Sequence, residues 1–541
     1  MEHAFSFFAD TYDTERIKIL SVWSRFSAKA TTTSRRTRMC ELTQSSETSG
    51  RTRGAVGHDR ADGVSGLSRR EFLAAAELVA GAVGGAGLSA CASVDSAGIP
   101  RGGGPGERML LRGGVVLTMD AKLGDFDRAN VLIEGSKIAA VGPDLHVPSA
   151  TLIDASNRIV MPGFVDSHRH IWQGPIRNIL PDGTLAQYFD SIGGTARSLY
   201  RPEDVYIGDL LSAWGAMNAG ITTLLDWSHI SNTPEHSDAA IQGLMESGIR
   251  GVYAHGFGAP GPAMRHPDDI RRLRRQYFSS ADQLVTLALA TAFDPAHWRL
   301  AREVGAPITV HANGTDELLP LAEARLMGPD VTYIHCCQLS AEEWKLIADT
   351  GGTLSIAAPV EMEMGHGIPA VQQALDHAIP LSLSNDVETS TTAEFFTQMR
   401  TVFLLQRMQL LARARAGEQN LPPLMNVKQV VEIATLGGAR ANQLENKVGS
   451  LTPGKEADIV MLATNRINVM PLNNAYAAIV HGMDTSNVDA VFVAGRVKKW
   501  KGELVGVKLD ELQRTAERSR DHLVARAKWP RTALGGNAPG H

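Results

Sequence analysis

Apolar residues recur in eight short runs between residues 163 and 386: GFVDSHRH, GITTLLDW, IRGVYAHG, LVTLALAT, PITVHANG, VTYIHCC, GTLSIAAP and PLSLSND. Stretches with apolar positions at helical spacing, such as SDAAIQGLMESG and SAEEWKLIADTG, separate most of them. Eight buried strands alternating with helices over roughly 250 residues predict an α/β fold, a (β/α)8 TIM barrel with its chemistry at the carboxyl ends of the strands. The flanks differ in texture. MLLRGGVVLTMD, ANVLIEGSKIAAVGP and TLIDASNRIVMPG before the barrel, and GSLTPGKEADIVML and VDAVFVAGRVKKW after it, alternate apolar with small polar residues between Gly and Asp turns. They predict a small β-sandwich domain built from both flanks of the barrel. The boundaries are 107–162 and 441–506 for the β domain, 163–440 for the barrel and 507–541 for a C-terminal helix and tail. LDELQRTAERSRDHLVARAK, residues 509–528, has helical spacing on a charged background. It lies over the barrel or over a second subunit, so a homo-oligomer stays open.

Residues 1–67 are rich in Ser, Thr, Arg and Gly without apolar periodicity and are expected to be disordered. The segment 68–106 carries the parts of a twin-arginine export signal: Arg69 and Arg70, a short Ala/Gly/Val/Leu stretch interrupted by Glu77, then small residues. That apolar stretch is too short for an integral membrane span. An exported protein of the periplasm or cell envelope is expected. Cys91, ending LSAC, offers a lipid anchor, while Ala90 and Ala92 offer ordinary cleavage; an Ala-rich surface helix is the bland alternative. The net charge of −5 gives no basic footprint for nucleic acid, so a small-molecule substrate is the expected partner. Four cysteines, two of them adjacent, make no disulfide framework.

The chemistry gathers at the ends of the runs. His168 and His170 end the first, and residues i and i+2 of an extended segment face the same side, so both imidazoles can aim at one point. His311 on run five and Asp386 on run eight could complete a metal shell, with His335 on run six beside it. A single histidine at a strand end is more often structural; the agreement of the set is what points to a metal. His229, His255 and His366 read as structural or pocket-lining residues.

From about Met109 to Lys501 the chain resembles the amidohydrolase superfamily, in the branch holding cytosine deaminase, guanine deaminase-like enzymes and the triazine hydrolases. The resemblance rests on MPGFVDSHRH, GITTLLD, VTYIHC, ATLGGAR (434–440) and GSLTPGKEADIV (449–460). It implies that His168, His170, His311 and Asp386 hold one divalent metal ion, zinc or iron(II), and that His335 contacts the substrate or polarises the attacked centre. Binuclear members carry a carboxylated lysine on the fourth strand. LVTLALAT has none, and no lysine occurs between Lys137 and Lys345, which implies a mononuclear site.

A metal brings the pKa of bound water to roughly 7. Asp386 can then act as general base and His335 can stabilise developing charge. One departure concerns Gly314, where deaminases of this branch carry a proton-shuttling glutamate; Asp316, Glu317 or Glu361 would have to reach in instead. Glu361 is placed at the rim, either in the site or simply solvated. Trp172 is either an aromatic wall for a flat ring or rim packing, and Gln173 offers an amide to a polar substituent. The expected function is metal-dependent hydrolysis of a non-peptide carbon–nitrogen bond in a small, cyclic or aromatic molecule: an amide, urea, carbamate or substituted heteroaromatic. An aminohydrolase of a pyrimidine, purine or triazine-like ring is the alternative, and a non-catalytic binding protein a third reading.

Overall fold

The structure, a computed structural model, describes residues 98–531 apart from 281, together with 533. The twin-arginine-type segment, Cys91 and the extension before them fall outside the described residues. Five strands come first: β1 (Arg108–Val116), β2 (Phe126–Glu134), β3 (Lys137–Gly142), β4 (Thr151–Asp154) and β5 (Arg158–Pro162). The barrel follows with β6 (Phe164–Arg169), β7 (Ile221–Ser228), β8 (Arg250–His255), β9 (Val285–Thr291), β10 (Ile308–Ala312), β11 (Val331–His335), β12 (Thr353–Ile356) and β13 (Leu381–Leu383). The last strands are β14 (Ile459–Ala463), β15 (Val488–Val493), β16 (Arg496–Trp500) and β17 (Glu503–Leu504).

Each of the eight apolar runs contains one barrel strand, and β6 to β13 pair in sequence order, every neighbour parallel. Their continuous apolar character has a physical cause: helices cover the outer face and side chains fill the inner one, so β7 is buried at every position. Local signals set the intervening helices. Ser340 caps Ala341–Thr350 reciprocally with Glu343, Trp344 and Ile347 bury its inner face, and Gly351 ends it at φ +78°.

The barrel closes through its site residues. The Asp386 N–H donates to the His168 carbonyl (3.1 Å), and the His170 N–H donates to the Asp386 carbonyl (2.8 Å). Below this seam the glycines of ATLGGAR explain their own presence. A Cβ on Gly438 would stand 2.1 Å from the Val165 carbonyl oxygen, and one on Gly437 2.2 Å from that of Leu381. Only hydrogen at both positions lets this helical segment lie directly on β6 and β13.

The flanking strands form one nine-stranded sheet that includes β5 and β14 as neighbours, so the chain's return completes what its start began. Its core, with Met109, Val131, Ile133, Ile459 and Phe492, is separate from that of the barrel. Asp458 of the GKEAD motif joins the two bodies, accepting from Arg250 Nε (2.8 Å) and Nη2 (3.0 Å) at the start of β8. The C-terminal helix Leu509–Ala527 lies on its own barrel, where Ser519 Oγ donates to Asp204 Oδ1 (2.7 Å) in the first turn of Pro202–Asn218. Among the described residues no helix is long and apolar enough to cross a membrane.

Candidate metal centre

His168, His170, His311 and Asp386 each bring one ligand atom into a group spanning at most 4.8 Å. His168 Nε2 lies 3.1 Å and His170 Nε2 3.3 Å from Asp386 Oδ1, and His311 Nε2 lies 3.2 Å from His168 Nε2. His170 Nδ1 donates to the Trp227 carbonyl (2.8 Å), which leaves the Nε2 lone pair facing the group. Burial pushes His168 down to about 3 and His311 well below the ordinary histidine range, so both are neutral near pH 7. Neutral imidazole nitrogens meeting at 3.2 Å beside a carboxylate present lone pairs to lone pairs, an arrangement that a shared cation satisfies. Three imidazoles and one carboxylate are the donors a divalent first-row metal takes. The residues therefore fit a metal ion.

The surroundings divide the roles of Asp386. Its Oδ1 faces the ligand histidines, while Oδ2 lies 3.7 Å from His335 Nε2. Burial disfavours its charge, but the close approach of His168 and His170 and the nearby charge of His335 outweigh burial and hold the carboxyl well below the usual range. His335 Nδ1 is 3.0 Å from Glu361 Oε1, which also accepts the Ala357 N–H at 2.9 Å. Burial works against a charged His335, yet the Glu361 hydrogen bond and the charge of Asp386 prevail and its pKa rises. Both His335 (φ +69°) and Asp386 (φ +59°) adopt the left-handed backbone region at their strand ends, a cost of about 1–3 kcal/mol each that the surrounding fold must hold in place.

The other residues singled out in the sequence take defined positions. Glu361 belongs to the helix Ala358–Met364 and is fully buried, so it is neither a loop carboxylate nor solvated; apolar packing around that short helix carries it inward. Trp172 is also fully buried in the turn Ile171–Ile176, with Tyr200 and His229 edge-on at 4.9 and 5.1 Å. Both ends of the Gln173 amide are engaged: Nε2 donates to Tyr188 Oη (2.6 Å) and Oε1 accepts the Glu388 N–H (3.3 Å). Near Gly314, Glu317 turns back to accept the Gly314 N–H (2.9 Å), and Asp316 is exposed. His229 and His366 stand closer to the chemistry than their sequence context suggests, with ring centroids 4.1 Å from His170 and 4.5 Å from His335.

Sequence reasoning passed over the layer behind the ligands. Arg169, between the two ligand histidines, points to the opposite side of the strand and donates twice to Glu388 Oε1 (3.0 and 2.7 Å), while Arg177 binds the other oxygen of Glu388. Asp166 accepts the His168 N–H (3.3 Å) and the Asn385 side-chain amide (2.8 Å), bracing both ends of the seam. The alternation of charged residues with ligands around 166–170, and Glu388 two positions after Asp386, were the available signals.

Residues 159–498 match the family model described as Amidohydrolase family. The chain is 25% identical over 422 residues to a 5-methylthioadenosine/S-adenosylhomocysteine deaminase of Symbiobacterium thermophilum, covering 72% of this chain and 93% of that one. It is 25% identical over 443 residues to a 5'-deoxyadenosine deaminase of Methanosarcina barkeri, with 77% and 99% covered. Among solved structures, a zinc-bound adenosine deaminase from Xanthomonas campestris superposes with a TM-score of 0.68 at 20% identity, covering 78% of this chain and 99% of that one. Atrazine chlorohydrolase TrzN from Arthrobacter aurescens with zinc gives 0.66 at 21%, covering 76% and 100%. These two structural likenesses speak for the fold.

Proposed function

The chain belongs to the amidohydrolase family, and from that premise we propose that it hydrolyses a non-peptide carbon–nitrogen bond of a small cyclic or aromatic molecule, with His168, His170, His311 and Asp386 holding one zinc or iron(II) ion. The observation that carries the reading is the division of Asp386, one oxygen among the ligand nitrogens and the other turned toward His335. A divalent ion bound there supplies Lewis acidity and brings the pKa of a water it holds to roughly 7.

The chain's own residues supply the rest. Asp386 Oδ2 is free to accept the proton of the attacking water and return it to the leaving nitrogen. His335, with Nδ1 anchored on Glu361, presents Nε2–H to the oxygen or ring nitrogen that gains negative charge. Trp172 and Trp227 form an aromatic wall against His229, beside the ligands.

An aminohydrolase reading has its own support, because the curated relatives named above are deaminases. Gly314 weighs against a shuttle at that position, and Glu361, one buried hydrogen bond from His335, is the carboxylate placed to relay a proton instead. The leader supports an exported, cell-envelope enzyme, soluble or anchored at Cys91. Metal analysis of the purified chain, with turnover of aryl ureas, carbamates, anilides, aminopyrimidines and chlorotriazines by wild type and Asp386→Ala, tests the proposal. About one metal ion per chain and a turnover that the substitution abolishes are expected. Ammonia release from an aminopyrimidine would select the deaminase. A metal-free chain, or turnover indifferent to Asp386, would overturn the mechanism.

A further inference from the structure

A guanidinium with no carboxylate partner among the described residues stands two aromatic rings away from a candidate metal ligand. Arg197 follows the π-helical stretch Phe189–Ala196, in the segment after β6, and its Cζ lies over the Phe257 ring at 5.3 Å. Its Nε is buried without a hydrogen-bond partner, and among the described residues no carboxylate forms an ion pair with it. The two arginines behind the ligands have an acid, for the buried Arg169 and the half-buried Arg177 share Glu388, whereas Arg197, also half-buried, has none. Burial lowers the pKa of Arg197, so leaving its charge uncompensated carries a cost.

Its position connects it to the chemistry. Phe257 is 5.6 Å from Trp227, whose ring is 4.4 Å from ligand His311. On another side the positive charge of Arg197 is felt at His229, and the His229 ring is 4.1 Å from that of ligand His170. The buried polar atoms nearby that lack a partner include two that only donate. Trp172 Nε1 and Trp227 Nε1, which only donate, are buried and unpartnered, as is the Tyr200 hydroxyl. Unpaired donors and a cation want an acceptor-rich ligand. The loop is held to present them: Asn232 Nδ2 donates to the Arg197 carbonyl (2.8 Å), and Asn232 Oδ1 accepts the Ala259 N–H (2.7 Å).

We infer that Arg197 recognises a carboxylate on the substrate's ring, making the substrate class a flat ring acid whose scissile carbon–nitrogen bond lies at the metal centre. The planar fork of a guanidinium matches a carboxylate with two parallel hydrogen bonds, and Phe257 beneath it keeps the fork from turning away. The inference rests on the hydrolase reading for where the ring sits, and it adds the chemistry that selects the ring.

Matched pairs test it: para-ureidobenzoate against para-ureidobenzamide, and an aminotriazine bearing carboxymethyl against one bearing carbamoylmethyl, each offered to the metal-loaded full chain. The readout is the acid-to-amide ratio, taken as Kd by equilibrium dialysis or as kcat/KM where a pair is turned over. Wild type is expected to prefer the acid by about 10- to 100-fold, Arg197→Gln to remove the preference, and Arg197→Glu to reverse it. A structural role would weaken acid and amide together and leave the ratio unchanged. The absence of an acid preference in every pair, or its survival in Arg197→Gln, overturns the inference. Asp386→Ala separates the two claims: turnover indifferent to that change sinks the hydrolase reading, whereas lost turnover with no acid preference in wild type sinks the anion site alone.

Discussion

His168 and Asp386 are joined twice: the Asp386 N–H donates to the His168 carbonyl, and Asp386 Oδ1 lies 3.1 Å from His168 Nε2. The first contact closes the barrel and the second builds the site. Because the backbone half survives any side-chain change, the two effects can be separated. Asp386→Ala is expected to keep the folded far-ultraviolet spectrum while bound metal falls at least about tenfold and kcat falls by about 10²–10⁴. Metal analysis beside circular dichroism checks this; a variant with wild-type metal content removes Asp386 from the ligand set.

Removing the ion should be felt in stability. A ligand that binds only the folded state contributes about 2.7 kcal/mol at a hundredfold excess over its Kd. Chelation is therefore expected to lower the melting temperature, and added zinc or iron(II) to restore it. Wild-type melting that ignores a chelator, with metal shown to have left, would contradict a site built on neutral, mutually facing imidazoles.

Glu388 compensates the buried Arg169 and the half-buried Arg177 at once. Glu388→Gln leaves Arg177 without an acid and Arg169 with only Asp166 at 3.6 Å, and breaking a buried pair of this kind costs about 3–5 kcal/mol. Urea denaturation should show it, and Arg177→Met added to Glu388→Gln should recover part of the loss. Equal midpoints for wild type and Glu388→Gln would mean that water screens the network.

Gly438 faces the Val165 carbonyl so closely that even one methyl group is too much. Gly438→Ala is expected to cost about 1–3 kcal/mol or more, as overpacking does, read as a lowered melting temperature. Gly454, where nothing lies within 4 Å of a Cβ but φ is +94°, is the control for backbone strain alone. Equal losses at the two positions would remove the steric explanation.

Lys499 is buried on β16, donates to the Asn218 carbonyl (2.8 Å), and is pushed down to about 8 by burial. Its folded pKa lies below the unfolded value of about 10.4, so the unfolded chain binds more protons between those limits. The penalty for charging it in the fold is complete below about pH 8 and is relieved as pH rises toward about 10.4. Denaturation of wild type against Lys499→Met should show the wild type gaining about 1–3 kcal/mol on the variant across that window. A pH-independent difference would mean that Lys499 stays charged in the fold.

The barrel was legible because buried parallel strands write themselves as apolar runs, and because ligands sit where those runs end; His168, His170, His311 and Asp386 were found that way. Glu361 was named but left open between the site and solvent, since a carboxylate in AAPVEMEMGHGIP looks like any loop acid until a short helix turns it under His335. Arg169 was hidden by parity, one position from each of two ligands and turned to the other side of the strand, and Glu388 by the irregular backbone that follows β13. Arg197 gave no signal at all, because what distinguishes it is the absence of an acid beside it among the described residues, and sequence spacing does not report that.

The closing contact spans 218 residues of chain between His168 and Asp386. A ribosome that has made the first seven barrel strands has therefore produced three imidazole ligands but neither the strand that shuts the cylinder nor the acid that completes the coordination. Assembly and metallation share a last step, so a chain capable of retaining its ion is one whose barrel has already closed.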